Sequence, residues 1–188
     1  MASHSDHMLA ASVSSRQAAV HGDCLGIFER ELDYLCATLR RLRVPSSDVE
    51  DLAHEVFLIM YRRWEAYDPT CPLRPWLFGI AFRVASIHRR RARRETPHPS
   101  PEIADPSPGP DQAVATQQAR SIVLAALEQV PLPRRAVFVM HYLDGVAMRD
   151  VASALSIPRF TAYSRLRKAR KEFEAAVKSI QSGANEEP

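Results

Sequence analysis

Between residues 23 and 42 the apolar side chains Leu25, Phe28, Leu32, Leu35, Leu39 and Leu42 recur at spacings of three and four, separated by polar and charged residues. This is the repeat of one face of an α-helix, which returns to the same side about every 3.6 residues. Pro45 ends the pattern, and Ser46 or Ser47 is placed to cap a second helix on which Val49, Leu52, Ala53, Val56, Phe57, Met60 and Trp64 again share one side. Pro69, Pro72 and Pro75 then interrupt it, because proline lacks a backbone donor and disfavours helix in the residue before it. A third helix starts near Pro75 or Trp76 and turns Leu77, Ile80, Ala81, Val84 and Ile87 inward. Its far end changes character to His88, Arg89, Arg90, Arg91, Arg93 and Arg94.

The segment from Thr96 to Gln112 holds six prolines, one glycine and the acids Glu102, Asp105 and Asp111, with almost nothing to bury. It reads as an extended linker. Helical patterning resumes from Val114 to Val130 through Ile122, Val123, Ala126 and Leu127, and Pro131 and Pro133 stop it. A short helix beginning at Arg134 and ended by Asp144 and Gly145 follows, then one over Val146 to Leu155, then a long one from Pro158 to about Ile180. No run alternates apolar and polar residues as a strand does, and no repeat of solenoid length is present. The expected fold class is all-α: two small helical domains (21–95 and 113–182) joined by a Pro-rich linker (96–112), with tails at 1–20 and 183–188.

Composition sharpens this picture in a few places. The chain has 188 residues, 46% hydrophobic and 25% charged, enough for two compact helical units that fold in water. A net charge of +3 says little on average, so the placement of charge matters more. Cys24, Cys36 and Cys71 are an odd set without C-x-x-C spacing, which points to reduced thiols. The first fifteen residues have no periodicity and no basic, then apolar, leader pattern, and no window reaches the ~18 apolar residues of a membrane span. A cytoplasmic protein is expected.

Candidate chemistry follows from where the charges fall. A short helix (Met148 to Leu155), the turn Ser156-Ile157-Pro158 and a longer helix have the spacing of a helix-turn-helix. On the long helix Ala162, Leu166, Ala169 and Phe173 form one inward stripe, while Arg159, Tyr163, Ser164, Arg165, Arg167, Lys168, Arg170 and Lys171 occupy the other faces, with no acid before Glu172. Such a surface suits a DNA groove, where cations neutralise phosphates and one or two side chains reach base edges; the plainer alternative is a solvated helix. On the second helix Asp48, Asp51 and Glu55 lie at i, i+3 and i+7, with Glu50 nearby. The helix dipole accounts for acids in the first turn, and a basic partner surface would account for Glu55 as well. Five arginines in the six residues from Arg89 to Arg94 exceed what a helix C-terminus requires and suit phosphate. Tyr61, Trp64, Tyr67, Trp76 and Phe78 surround the break before that helix; some could face a base, and most are expected in the core.

No phosphate-cradling glycine loop, H-E-x-x-H or G-x-S-x-G is present, and the seven histidines are scattered without metal-ligand spacing. Neither catalytic residues, metal nor cofactor are expected. His54 is free to touch a partner, and His141 reads as a core or boundary residue.

The stretch "DVEDLAHEVFLIMYRRWEAYDPTCPLRPWLFGIAFRVASIHRRRARR", continued after the linker by "ALEQVPLPRRAVFVMHYLDGVAMRDVASALSIPRFTAYSRLRKAR", resembles the extracytoplasmic-function sigma factors of bacterial RNA polymerase, in the sigma-70 family. The similarity runs from Asp23 to Val177; D-x-E-D-L-x-x-E-V-F with Y-D-P and R-P-W-L is its most specific part, and S-R-L-x-x-A-R in the helix-turn-helix is the second. The resemblance implies that the second helix docks on core polymerase through Asp48, Asp51, Leu52 and Glu55. It implies DNA contacts at Tyr67, Asp68, Arg74 and Trp76, where a minus-ten base would be captured, and phosphate contacts at Arg89, Arg90, Arg91, Arg93 and Arg94. The last helix would read the minus-thirty-five element through Tyr163, Ser164 and Lys168, with Arg159, Arg165 and Arg167 beside them, and the acidic linker would thread a basic polymerase channel. An anti-sigma protein is an expected partner, along with core polymerase and promoter DNA.

Four positions depart from that group's pattern. Ala147 stands where serine commonly caps the first helix of the helix-turn-helix, Pro158 where serine or threonine opens the second, Phe160 where glycine is frequent, and Tyr163 where lysine or arginine is frequent. These changes concern base preference rather than the mode of binding. The competing reading is a polymerase-independent helix-turn-helix regulator, which would explain only the C-terminal block; a nucleic-acid enzyme lacks any group for metal or proton chemistry.

Overall fold

The structure is a computed structural model and describes residues 24–95 and 112–184. The first 23 residues, residues 185–188 and the expected linker (96–112), apart from Gln112 at the start of a helix, lie outside the described residues. Among the described residues every regular element is helical. The order is α1 (24–41), a 3₁₀ turn (Ser46–Asp48), α2 (Val49–Arg63), a second 3₁₀ turn (Trp64–Ala66) and α3 (Leu73–Glu95). The second described stretch holds α4 (Gln112–Gln129), α5 (Leu132–Phe138), a π turn (Val139–Leu143), α6 (Met148–Ala154) and α7 (Arg159–Ala184).

The apolar stripes explain these elements, with local corrections. On α1 the face with Leu35, Leu39 and Leu42 is buried together with Cys24, but Leu25 and Leu32 are 48% and 38% exposed. They sit at the edge of the stripe, about 100° per residue around the axis from its centre, so the three-and-four spacing places the buried face one notch too wide. On α2 Val49, Leu52, Ala53, Val56 and Met60 are buried, matching the expected side. Neither Ser46 nor Ser47 caps α2. Its start is a 3₁₀ turn, and the Ser47 hydroxyl donates to Asp48 Oδ1 at 2.8 Å instead of serving the helix. α3 begins at Leu73, so Pro75 falls in its first turn, where its missing donor costs no helical hydrogen bond.

In the C-terminal block Pro133 opens α5 rather than separating helices, for the same reason. α5 then widens into the π turn, and Gly145 reverses the chain at φ +67°, a conformation that disfavours any side chain. α4 and α5 pack against α7, whose inward line is Ala162, Ala169 and Ala176 with Leu166 and Phe173 half-buried beside it.

The two blocks touch. Their buried residues form one contiguous cluster, and α3 lies on α6. Gly79 makes this approach possible: a Cβ there would lie 2.5 Å from the Ala154 carbonyl oxygen at the end of α6. Between α1 and the turn after α5, the Tyr34 hydroxyl and the Arg41 guanidinium both donate to the Asp144 carboxylate at 3.0 Å. Arg83 donates to the Ser156 hydroxyl at 3.1 Å in the turn of the helix-turn-helix.

Candidate protein and nucleic-acid interfaces

α2 presents its acids outward because its apolar stripe consumes the opposite side. Asp51 and His54 are exposed and Glu55 is half-buried, and neither carboxylate forms an ion pair with another described residue. Asp48 differs: His88 Nε2 of α3 lies 2.9 Å from its Oδ2, so it ties α2 to α3. Leu52 is in the core at 6% exposure, which keeps its side chain from a partner's surface in this arrangement. The sequence reading missed Leu58, which is 40% exposed and stands seven residues after Asp51 on the same side of the helix. Its spacing from Asp51, and its position off the stripe through Val49, Val56 and Met60, is the signal that could have found it.

The break between α2 and α3 is built from aromatic rings. Trp64 stacks on Tyr67 with centroids 5.5 Å apart, Tyr67 lies 4.8 Å from Trp76, and the two tryptophans meet edge-on at 6.3 Å. Phe78 is fully buried, as expected, while Trp64 and Trp76 are half-buried and pack against the core, and Tyr67 lies half-buried over them. The Tyr67 hydroxyl donates to the Cys71 carbonyl, which closes the loop. Asp68 accepts from the Thr70 backbone at 2.9 Å and its hydroxyl at 2.7 Å, and the Thr70 hydroxyl bond, helped by the backbone one, holds the carboxyl below its ordinary range. Arg74 is held by Glu31 at 2.8 Å and lies over the Tyr34 ring at 4.9 Å. The loop is thus preorganised, with an aromatic cluster at one side and a fixed cation at the other.

The arginine run belongs to α3 itself, which continues through Glu95. Arg90, Arg91, Arg93 and Arg94 are exposed, whereas Arg89 is half-buried. Burial lowers the Arg89 guanidinium from its ordinary value, and the neighbouring cations Arg93 and Arg43 lower it further. Accumulated positive charge of this kind is relieved when an anion approaches.

α7 carries the second basic surface. Arg159, Tyr163, Arg167 and Lys168 are exposed, and Ser164 and Arg165 are half-buried. A groove of about 330 Å³ runs between Pro131 and Pro133 at the start of α5 and Phe160, Ser164 and Lys168 of α7. The bond from Arg134 to Glu172, at 2.7 Å, fixes α5 against α7 beside it. The preceding turn is closed by the Ile157 amide on the Ala152 carbonyl at 2.9 Å, with Ser156 at φ +54°. Ala147, at the start of α6, offers no side-chain cap. The His141 ring sits 3.0 Å from the Val146 carbonyl, a boundary residue serving the fold.

Comparison with known proteins gives two matched regions. Residues 27–95 match the family described as Sigma-70 region 2, and residues 120–173 match that described as Sigma-70, region 4. The RNA polymerase sigma factor CnrH of Cupriavidus metallidurans is 24% identical over 182 residues, covering 92% of this chain and 94% of that protein. Its structure with the cytosolic domain of CnrY superposes with a TM-score of 0.61 at 19% identity, over 87% of this chain and 95% of that one. The ECF RNA polymerase sigma-E factor of Escherichia coli K12 is 24% identical over 155 residues, 77% of this chain and 81% of that protein. The sigma factor RpoE from Bartonella quintana, solved with the anti-sigma factor NepR, superposes with a TM-score of 0.60 at 22% identity, over 80% and 96% of the two chains.

Proposed function

Because the chain belongs to the sigma-70 family, in its extracytoplasmic-function group, we propose that it joins core RNA polymerase, directs it to promoters and initiates transcription there. The observation that carries this reading is the division of charge within the two matched regions: exposed acids on α2, exposed cations at the end of α3 and on α7. One surface suits a basic protein, and two suit a duplex. In this reading residues 21–95 hold polymerase and the minus-ten element, residues 113–182 hold the minus-thirty-five element, and residues 96–112 connect them.

Asp51, Glu55 and Leu58 form the polymerase contact, an apolar anchor flanked by charges that steer association. Tyr67, Asp68, Arg74 and Trp76 receive an unstacked base, since ring stacking contributes about 1–3 kcal/mol per base without needing a paired partner. Trapping that base favours the melted strand. Arg89, Arg90, Arg91, Arg93 and Arg94 neutralise phosphates next to it, and α7 enters the major groove with Tyr163, Ser164 and Lys168 toward base edges and Arg159, Arg165 and Arg167 toward the backbone. The chain acts by binding and is not an enzyme; polymerase supplies the chemistry, in the cytoplasm. A protein that covers these faces, as an anti-sigma factor does, is its regulator; the Bartonella quintana complex supports that partner class.

The test is reconstitution with core polymerase. The native chain yields promoter-dependent transcripts, and Asp51→Arg combined with Glu55→Arg weakens polymerase binding at least tenfold while leaving the chain folded, because Asp51 is exposed, Glu55 is half-buried, and neither gives up an ion pair within the described residues. Unchanged polymerase affinity in the double variant would remove α2 from the interface.

A further inference from the structure

α7 bears an aromatic side chain, at the rim of the groove beside α5, that the fold leaves almost wholly in water. Phe160, its second residue, is 85% exposed, the most exposed large apolar residue described. It lies two residues before the buried Ala162 and so faces away from the core, on the same outward side as Ser164 and Arg167. Packing does not explain it. A phenylalanine left in water gives up the burial free energy that its neighbours obtain, and a proline-opened turn at this site accepts small or polar residues equally well. Its surroundings are those of an anion-facing surface: Arg159, Lys168 and Arg167 are exposed around it, and Ser164 stands one turn along. An apolar ring set among phosphate-seeking cations, near the leading end of a helix that enters the groove, meets base edges and not backbone. The one apolar feature that the major groove offers there is the 5-methyl group of thymine.

We propose that Phe160 is a specificity-determining residue that contacts a thymine methyl in the upstream promoter element. The inference rests on the sigma-factor reading of α7 and deepens it by naming a base. Tyr163, 57% exposed and three residues on, lies on the adjoining side and extends the same aromatic edge. Phe160 therefore replaces part of the hydrogen-bonded readout of this helix with an apolar one, tuned to thymine over cytosine, which lacks the methyl, and over purines, which present polar edges.

The experiment uses holoenzyme reconstituted from the full chain and core polymerase. The preferred upstream element is selected from DNA randomised in that region, and each thymine of the winner is then replaced singly by deoxyuridine, which removes only the methyl. With the native chain, at least one replacement lowers affinity about fourfold, the ratio that one buried methyl supports. With Phe160→Ala the thymine and uracil duplexes bind equally at that position, and Phe160→Leu keeps an intermediate ratio. Both variants keep the native melting temperature and polymerase affinity, since the side chain touches solvent. If Phe160→Ala retains the native discrimination at every thymine, the assignment is wrong. If it instead weakens polymerase binding, the ring serves a protein contact and the assignment is equally wrong. Absence of promoter-dependent transcripts from the native holoenzyme would overturn the sigma-factor reading itself, an outcome separable from the other two.

Discussion

Arg135 shows how one residue can serve the fold at some cost to itself. It is 1% exposed, and its guanidinium donates to the Val130 carbonyl at 2.8 and 3.1 Å and to the Glu128 carbonyl at 2.8 Å. Glu128 lies in the last turn of α4 and Val130 just beyond its end, where a helix leaves carbonyls without internal partners. Burial, with Arg43 and Arg89 nearby, pushes the Arg135 pKa down to about 10, so it remains charged at neutral pH. Arg135→Met should therefore cost about 1–3 kcal/mol by leaving the buried Val130 carbonyl unpaired. Arg134→Met next to it removes a half-exposed bond to Glu172 and should cost at most about 1 kcal/mol. Denaturant melts of the two variants check the contrast; equal losses would mean that the carbonyl contacts contribute nothing. Neither role was legible in "PLPRRAV", where two adjacent arginines look alike and only the helix geometry separates them.

At the level of elements the sequence speaks most clearly where a stripe of apolar residues is long. α2 was legible from Val49, Leu52, Val56 and Met60, and α7 from Ala162, Leu166, Ala169 and Phe173, because each repeats over several turns. The π turn at Val139–Leu143 was not, since inserting a wider turn shifts the phase of a helix without changing which residue types it contains. Nor was the half-exposed state of Trp64 and Trp76, which depends on what α3 leaves uncovered around Tyr67. Helix ends depend on single residues and can be tested singly. Ala147 occupies the start of α6 in an extended conformation at φ −62°, ψ 141°, the geometry from which a serine hydroxyl reaches the second or third amide. Ala147→Ser should add about 1 kcal/mol and raise Tm by roughly 2–4 °C for a chain of this size. A fall in Tm in a thermal melt would contradict the capping geometry.

At the scale of the whole molecule the contact between the two blocks has a pH signature. Asp144 is mostly buried between Tyr34 and Arg41, and its pKa is raised above the ordinary value because burial disfavours the ion; the Tyr34 and Arg41 contacts oppose this without reversing it. An acid of that kind holds its proton more tightly in the folded chain. The stability it contributes is complete below the ordinary carboxylate range and is lost as pH rises through the raised folded value. The Tm of the native chain relative to Asp144→Asn should thus improve as pH is lowered from 7 toward 4, and a difference that stays flat would show an unperturbed carboxyl. The buried cluster that crosses both blocks was hidden from the sequence because each stripe reveals that a face is covered but not by which partner. Gly79 draws these points together. In the proposed function the two blocks hold promoter elements centred near minus ten and minus thirty-five, separated by about 25 steps of a duplex, on the order of 85 Å at 3.4 Å each, so blocks in contact cannot occupy both at once. Parting α3 from α6 is then a step on the way to the promoter, and apparent affinity is reduced in proportion to the fraction of molecules already open. A single methyl at residue 79 would wedge that seam against the Ala154 carbonyl, so the Gly79→Ala chain should scatter X-rays as a larger particle and reach its promoter sooner than the native one.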